Sequence, residues 1–226
     1  MPIDAGGLVG LLHSWSQMWW LCSSPVTRCR QVASTLHETT ADADYVISSL
    51  PFSSIVEETV DELIASNAVK EGTVWVDTTS GVPSVSSRIW SKLDAVGVNF
   101  LDCGVAGGPN AAEKGTLSAM VGGESRDLVK AQPLLDCMMA KVVHIGPVGS
   151  GHAVKAVNNT LLATNIWTTY EGLIILARMG VDLEKALDAI NCSSGRRYST
   201  KIEPQWSVAM RLCRPSRSFL PSIHFL

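Results

Sequence analysis

Lys155 and Asn159 lie four residues apart in the run GSGHAVKAVNNTLLATN, residues 149–165, and no other charged residue follows Lys155 until Glu171. On a helix that spacing puts both side chains on one face, a turn apart. Lysine is rarely buried without a partner. Desolvation lowers its pKa and makes the amine a proton donor and acceptor near neutral pH. Asn159 offers a hydrogen-bonding group for a hydroxyl or a carboxylate beside it. Gly149 and Gly151 stand just before the pair, where lack of a side chain would let another molecule come close to the helix start. The competing reading is a lysine whose stem packs while its head reaches water, and spacing alone leaves both open.

Chemistry needs such residues to be held, so the elements around them matter. DADYVISSL, residues 42–50, reads as an acidic turn leading into a strand that Pro51 stops. The spacing predicts a helix over 53–65, with Ile55, Val56, Val60 and Ile64 on its apolar side. TVWVD, residues 73–77, and VNFLD, residues 98–102, read as strands that each end on an acid, with a helix over 85–96 between them. Strands over 117–121 and 141–145 flank a helix over 126–139. This alternation is the sequence form of an α/β domain with a mainly parallel sheet. From Gly146 onward the pattern is helical only, over 151–179 and 183–190. The boundary between an α/β half, residues 1–147, and a helical part, residues 148–226, is therefore expected near 147–150.

In open α/β sheets ligands bind beyond the carboxyl ends of the strands. Three segments fall at such ends: SSLPFS (48–53), DTTSGVP (77–83) and DCGVAGGPNAAEKG (102–115). Taken singly, a Leu-Pro that stops a strand, a DTTS that caps the next helix and glycines that make turns are the simpler account of each; three in a row at strand ends are less easily accidental.

The totals exclude some classes of function. The 226 residues are 46% hydrophobic and carry a net charge of −3. No dense basic block offers a nucleic-acid surface. No stretch reaches the ~18 apolar residues of a membrane helix. The six cysteines include no CxxC pair and no His cluster, which argues against a metal site and for reduced thiols.

Together these segments resemble the β-hydroxyacid dehydrogenase family, which is 6-phosphogluconate dehydrogenase-like and includes 3-hydroxyisobutyrate dehydrogenases. The family pattern D-x-P-V-S-G-G-x-x-x-A-x-x-G-T-L appears as DCGVAGGPNAAEKGTL, followed by MVGG at 120–123. G-x-G-x-x-x-K-x-x-N-N appears as GSGHAVKAVNN, and EGLIILARMG and NCSSGRR follow in the expected order. The resemblance covers roughly residues 32–200. It implies a Rossmann-like domain joined by a long helix to a helical domain, with the lysine at the mouth of the cleft between them. It implies Lys155 as the catalytic residue, Gly107, Gly108 and Asn159 as substrate-binding, and Leu50, Pro51 and Ser80 as cofactor-binding. The cofactor implied is NAD or NADP. The reaction implied is hydride transfer with a small hydroxy acid, most simply 3-hydroxyisobutyrate to methylmalonate semialdehyde. A homo-oligomer is implied as well, in mitochondria or cytoplasm.

Three features depart from the family. A strand followed by G-x-G-x-x-G, which cradles a dinucleotide pyrophosphate at a helix start, is not evident in MPIDAGGLVGLLHSWSQMWW, and residues 1–30 follow no clear period. GGLVGLL has glycines but no clear strand before them. Ala106 stands where the family has serine. After about Thr200 the resemblance fades. The expectation is a chain truncated at both ends: first strand and Gly-rich loop lost, helical domain incomplete. A non-catalytic binding or oligomerisation module is the alternative function.

Overall fold

A computed structural model describes residues 35–197 and Thr200 of the chain, together with the backbone of residues 8–11. Six strands form one sheet in the sequential order β1 to β6. They are β1 (Leu8–Leu11), β2 (Tyr45–Ser48), β3 (Val74–Asp77), β4 (Asn99–Ala106), β5 (Leu117–Gly122) and β6 (Met139–Gly146). All neighbours pair in parallel except β4 with β5. The short helix α1 (Leu36–Thr40) precedes β2, and α2 (Ser53–Ala65), α3 (Pro83–Asp94), α4 (Gly108–Glu113) and α5 (Ser125–Leu135) follow successive strands. The mainly parallel α/β fold is as expected from the sequence.

Two differences from the sequence reading bear on the site. A short strand, β1, pairs at the sheet edge from Leu8↔Tyr45 to Leu11↔Ser48, where no strand was legible. Gly10 lies inside it, and Gly6 and Gly7 precede it. Gly10 therefore lies within a strand and not after one, as a pyrophosphate loop requires. Residues 12–34, where such a loop would come, lie outside the described residues. The second difference is β4, which runs to Ala106 instead of ending at Asp102. Cys103 to Ala106 pair antiparallel with Val121 to Ser118. Gly104 marks a close approach of another element, not a turn.

The sheet is covered on both faces. Val46, Trp75 and Phe100 pack with Val56, Val60 and Leu63 of α2 and Ile89 and Leu93 of α3. Val74, Val76, Leu101 and Cys103 face the other way and pack with Ala131, Leu134 and Leu135 of α5. The period-2 alternation of β3 and β4 sorts these residues between the faces. All four residues of β3 are buried, as expected of a central parallel strand. The Cys103 thiol is pushed up to about 12, first by burial and then by the Asp102 and Asp77 carboxylates. It is a packing residue, not a reactive thiol.

On the outer surface Arg88 of α3 grips Glu57 of α2 with both guanidinium arms, Nε to Oε1 at 3.0 Å and Nη2 to Oε2 at 2.8 Å. Lys92 joins Glu57 to Asp61. Arg88 first and Lys92 second hold the Glu57 carboxyl down at about 2. A depressed carboxyl contributes stability above its unfolded pKa and loses it as pH falls through the folded value. Glu57→Gln should therefore unfold at lower urea than the native chain at pH 7. That gap should shrink as pH falls from about 4.5 toward 2, and 0.5 M salt should narrow it.

Beyond β6 the chain is helical: α6 (Ser150–Arg178), then α7 (Leu183–Asn191), whose first turn Asp182 caps by accepting from the amides of Glu184 and Lys185. Two compact units, residues 1–157 and 158–226, divide inside α6. Among the described residues no helix is long and apolar enough to cross a membrane.

Candidate functional site

The register brings Ser48, Asp77 and Asp102 into one row across β2, β3 and β4, near the carboxyl edge of the parallel strands. All three are buried. Gly122 of β5 continues the row, and its missing side chain leaves room for the Asp102 carboxylate. Trp75 Nε1 donates to Ser48 Oγ at 2.9 Å, and Ser48 Oγ donates to Asp77 Oδ1 at 2.8 Å. Thr79 N also donates to Asp77 Oδ1, at 3.1 Å. Buried polar groups need such partners, and each bond fixes a side chain in one position.

The first turn of α6 lies over this row. Gly149 N donates to Asp102 Oδ1 at 2.7 Å, and His152 N donates to Asp102 Oδ2 at 2.8 Å. Both donors are amides with no partner inside their own helix, so Asp102 caps a helix to which it does not belong. Burial pushes the Asp102 carboxyl up, although the two amides work the other way. The His152 ring is wholly buried, with Nδ1 at 2.8 Å from Ser86 Oγ and Nε2 at 3.2 Å from the Asp77 carbonyl. A carbonyl only accepts, so Nε2 donates to Asp77.

The glycines before Lys155 serve this docking, which corrects their reading as room for another molecule. A Cβ on Gly151 would run into the Met120 and Asp102 carbonyls, and one on Gly149 would come 3.0 Å from the Pro83 carbonyl. The space belongs to the chain's own backbone. One turn further on, Lys155 is half-buried. A Cβ on Gly104 would stand 2.6 Å from Lys155 Cβ, so the lysine stem rests on the bare backbone of β4. Burial lowers the Lys155 pKa. Among the described residues its amine has no hydrogen bond or ion pair.

Asn159 is exposed on the next turn of α6 and belongs to the second compact unit. Gly107 and Gly108 follow β4 with φ of +133° and +70°, a backbone path that side chains rarely take. Leu50 is buried, while Pro51 and Ser80 are exposed. Their two loops are pinned together: Leu50 N donates to Thr79 Oγ1 at 3.1 Å, and Val82 N donates to Ser53 Oγ at 2.8 Å. Sequence reasoning missed Phe52 and Val82, both exposed on the same loops. It also missed His152, Ser86 and Thr79. For Asp77 and Asp102 there was a signal, since two strand segments close on an acid.

These residues fit a nicotinamide nucleotide. The pinned loops form a rim of apolar groups and hydroxyls past the ends of β2 and β3, the usual place for one in such sheets. Among the described residues no three His, Cys, Asp or Glu side chains converge as metal ligands would.

Comparison with known proteins agrees. Residues 21–146 match the NAD binding domain of 6-phosphogluconate dehydrogenase. Residues 149–215 match the NAD-binding region of NADP-dependent 3-hydroxyisobutyrate dehydrogenase. The mitochondrial 3-hydroxyisobutyrate dehydrogenase of Mus musculus is 37% identical over 174 residues, which is 75% of this chain and 51% of that protein. The 2-(hydroxymethyl)glutarate dehydrogenase of Eubacterium barkeri is 34% identical over 175 residues, 77% of this chain and 58% of that one. Among solved structures, the 3-hydroxyisobutyrate dehydrogenase of Mycobacterium tuberculosis with L-serine superposes with a TM-score of 0.70 at 28% identity, covering 74% of this chain and 57% of that one. The chain thus spans about half the length of the relatives it matches. With the first of these matches taking in more than half of its residues, the chain belongs to the 6-phosphogluconate dehydrogenase-like β-hydroxyacid dehydrogenase family.

Proposed function

We propose that the chain is a NAD(P)-dependent dehydrogenase of small 3-hydroxy acids, with 3-hydroxyisobutyrate oxidised to methylmalonate semialdehyde. Lys155 is the observation that carries this reading: a half-buried amine with a lowered pKa, seated on Gly104 at the foot of a helix docked on the sheet. When bound, the nicotinamide supplies the hydride acceptor. The neutral Lys155 amine takes the proton of the substrate hydroxyl as the carbonyl forms, and the ammonium returns it in the reverse direction. Gly107 and Gly108 hold the substrate carboxylate by backbone amides. Asn159, a turn beyond Lys155 on the same helix, holds the substrate hydroxyl. Leu50, Pro51 and Ser80 line the cofactor, NAD or NADP. The mitochondrion, the compartment of the Mus musculus relative, is the one we favour.

Titration of the purified chain with NADH and NADPH, followed by nicotinamide fluorescence, tests this first. Saturable binding of one nucleotide, then turnover of 3-hydroxyisobutyrate, supports the reading. A folded chain that binds neither sinks it. A non-catalytic binding or oligomerisation module is the second reading, favoured by Ala106, whose methyl stands where the family pattern has a serine hydroxyl. A hydrogen bond to a charged group is worth ~1.5–3 kcal/mol. Ala106→Ser should therefore lower KM for the hydroxy acid by about 10- to 100-fold and leave NADH affinity unchanged, as read from initial rates and fluorescence.

A further inference from the structure

We propose that β4 positions Lys155 through two residues on one face of the strand: Asp102, which clamps the start of α6, and Gly104, which seats the lysine stem. Residues two apart on a strand share a face. Asp102 and Gly104 therefore meet α6 together, three residues apart on its helix, at His152 and Lys155. The clamp has two bonds, at 2.7 and 2.8 Å, from a carboxylate with no exposed surface. Gly151 closes the same contact backbone to backbone, against the Asp102 and Met120 carbonyls. Between them these contacts fix both the height and the rotation of the first turn of α6, and hence where the Lys155 amine stands.

This inference rests on the reading of Lys155 as the proton-transfer group. Asp102 and Gly104 touch neither substrate nor cofactor in that reading; they are positioning residues. Gly104 also distinguishes this chain, since the family pattern has proline at that position.

Two variants of the full chain test it. Asp102→Asn keeps shape but turns one acceptor into an amide that cannot accept from the helix. Gly104→Val leaves the Asp102 side chain in place, suits a strand and puts a Cβ 2.6 Å from Lys155 Cβ and 3.2 Å from the Gly151 carbonyl, which pushes the lysine stem aside. Should Asp102→Asn fail to fold, Gly104→Val still decides. A misplacement of about 1 Å can cost on the order of 100-fold in rate. In each folded variant kcat should fall about 10- to 100-fold, with the Kd for the reduced nucleotide and KM for the hydroxy acid within about 3-fold of the native values. Loss of stability alone would not produce that split. A second readout needs no turnover: the titration of Lys155 followed by NMR of 13C-methylated lysines, with Lys155→Arg to assign the signal. The midpoint should lie below that of an ordinary lysine in the native chain and move up toward it in both variants. Unchanged kcat and an unchanged Lys155 midpoint in a folded variant would overturn the proposal. A native chain without turnover would sink the enzyme reading, while the Lys155 midpoint would still judge the positioning.

Discussion

Lys155→Ala should cut kcat for hydroxy acid oxidation by about 10²- to 10⁴-fold, the usual contribution of a positioned acid–base group. NADH or NADPH affinity, read by fluorescence, should stay within about 2-fold of native, because cofactor binding is assigned to Leu50, Pro51 and Ser80. The structure gives a reason to expect no folding penalty. The lysine head has no ion pair among the described residues, so truncation leaves no buried partner unpaired. The pH dependence should carry the same message. The proposed oxidation needs the neutral amine, so on that reading the rate should rise with pH through the Lys155 pKa. Burial puts that rise below the range of an ordinary lysine. Lys155→Arg keeps a cation but cannot be deprotonated, and should be as inactive as the alanine variant. Equal kcat in native and Lys155→Ala chains, both folded and both binding cofactor, would remove lysine from the mechanism.

Much of the fold around Lys155 was legible in the sequence alone. The spacing of Lys155 and Asn159 and the alternation of strands and helices each follow from local rules, and α2 begins and ends where its apolar period does. The ends of β2 and β3 could be read because proline and short polar runs interrupt apolar segments. What was not legible depends on register. Asp77 and Asp102 look alike in the sequence, each the last residue of an apolar run. Only the pairing of β2, β3 and β4 puts them in one row and shows that the second lies within a longer strand. Gly149 and Gly151 were misread for a related reason. A glycine marks a close approach, and its sequence neighbours do not say what approaches. Here it is the chain's own helix and strands. His152 has no periodic signature at all, since its partners, Ser86 and Asp77, are 66 and 75 residues away.

Trp75 has the largest expected effect on stability. It is fully buried in β3, packs in the layer beneath α2 and α3, and donates to Ser48. Trp75→Ala should cost about 3–5 kcal/mol, the range for a large aromatic replaced in a packed core. At about 2–4 °C per kcal/mol in a chain of this size, Tm should fall on the order of 10 °C. Trp75→Phe separates packing from polarity. It keeps most of the volume and loses one hydrogen bond, and should cost only about 1–2 kcal/mol. The comparison also bears on the site. Ser48 Oγ still donates to Asp77 when the indole N–H is gone, so the Asp77 carboxylate keeps its partners and its carbonyl keeps His152. Trp75→Phe should therefore leave kcat within about 2-fold of native despite its lower Tm, measured by thermal unfolding and initial rates on the same samples. A Trp75→Phe chain that stays folded but loses turnover would mean that the indole N–H orders the polar row itself. The route by which the core reaches Lys155 would then start at β3, ahead of the clamp at Asp102.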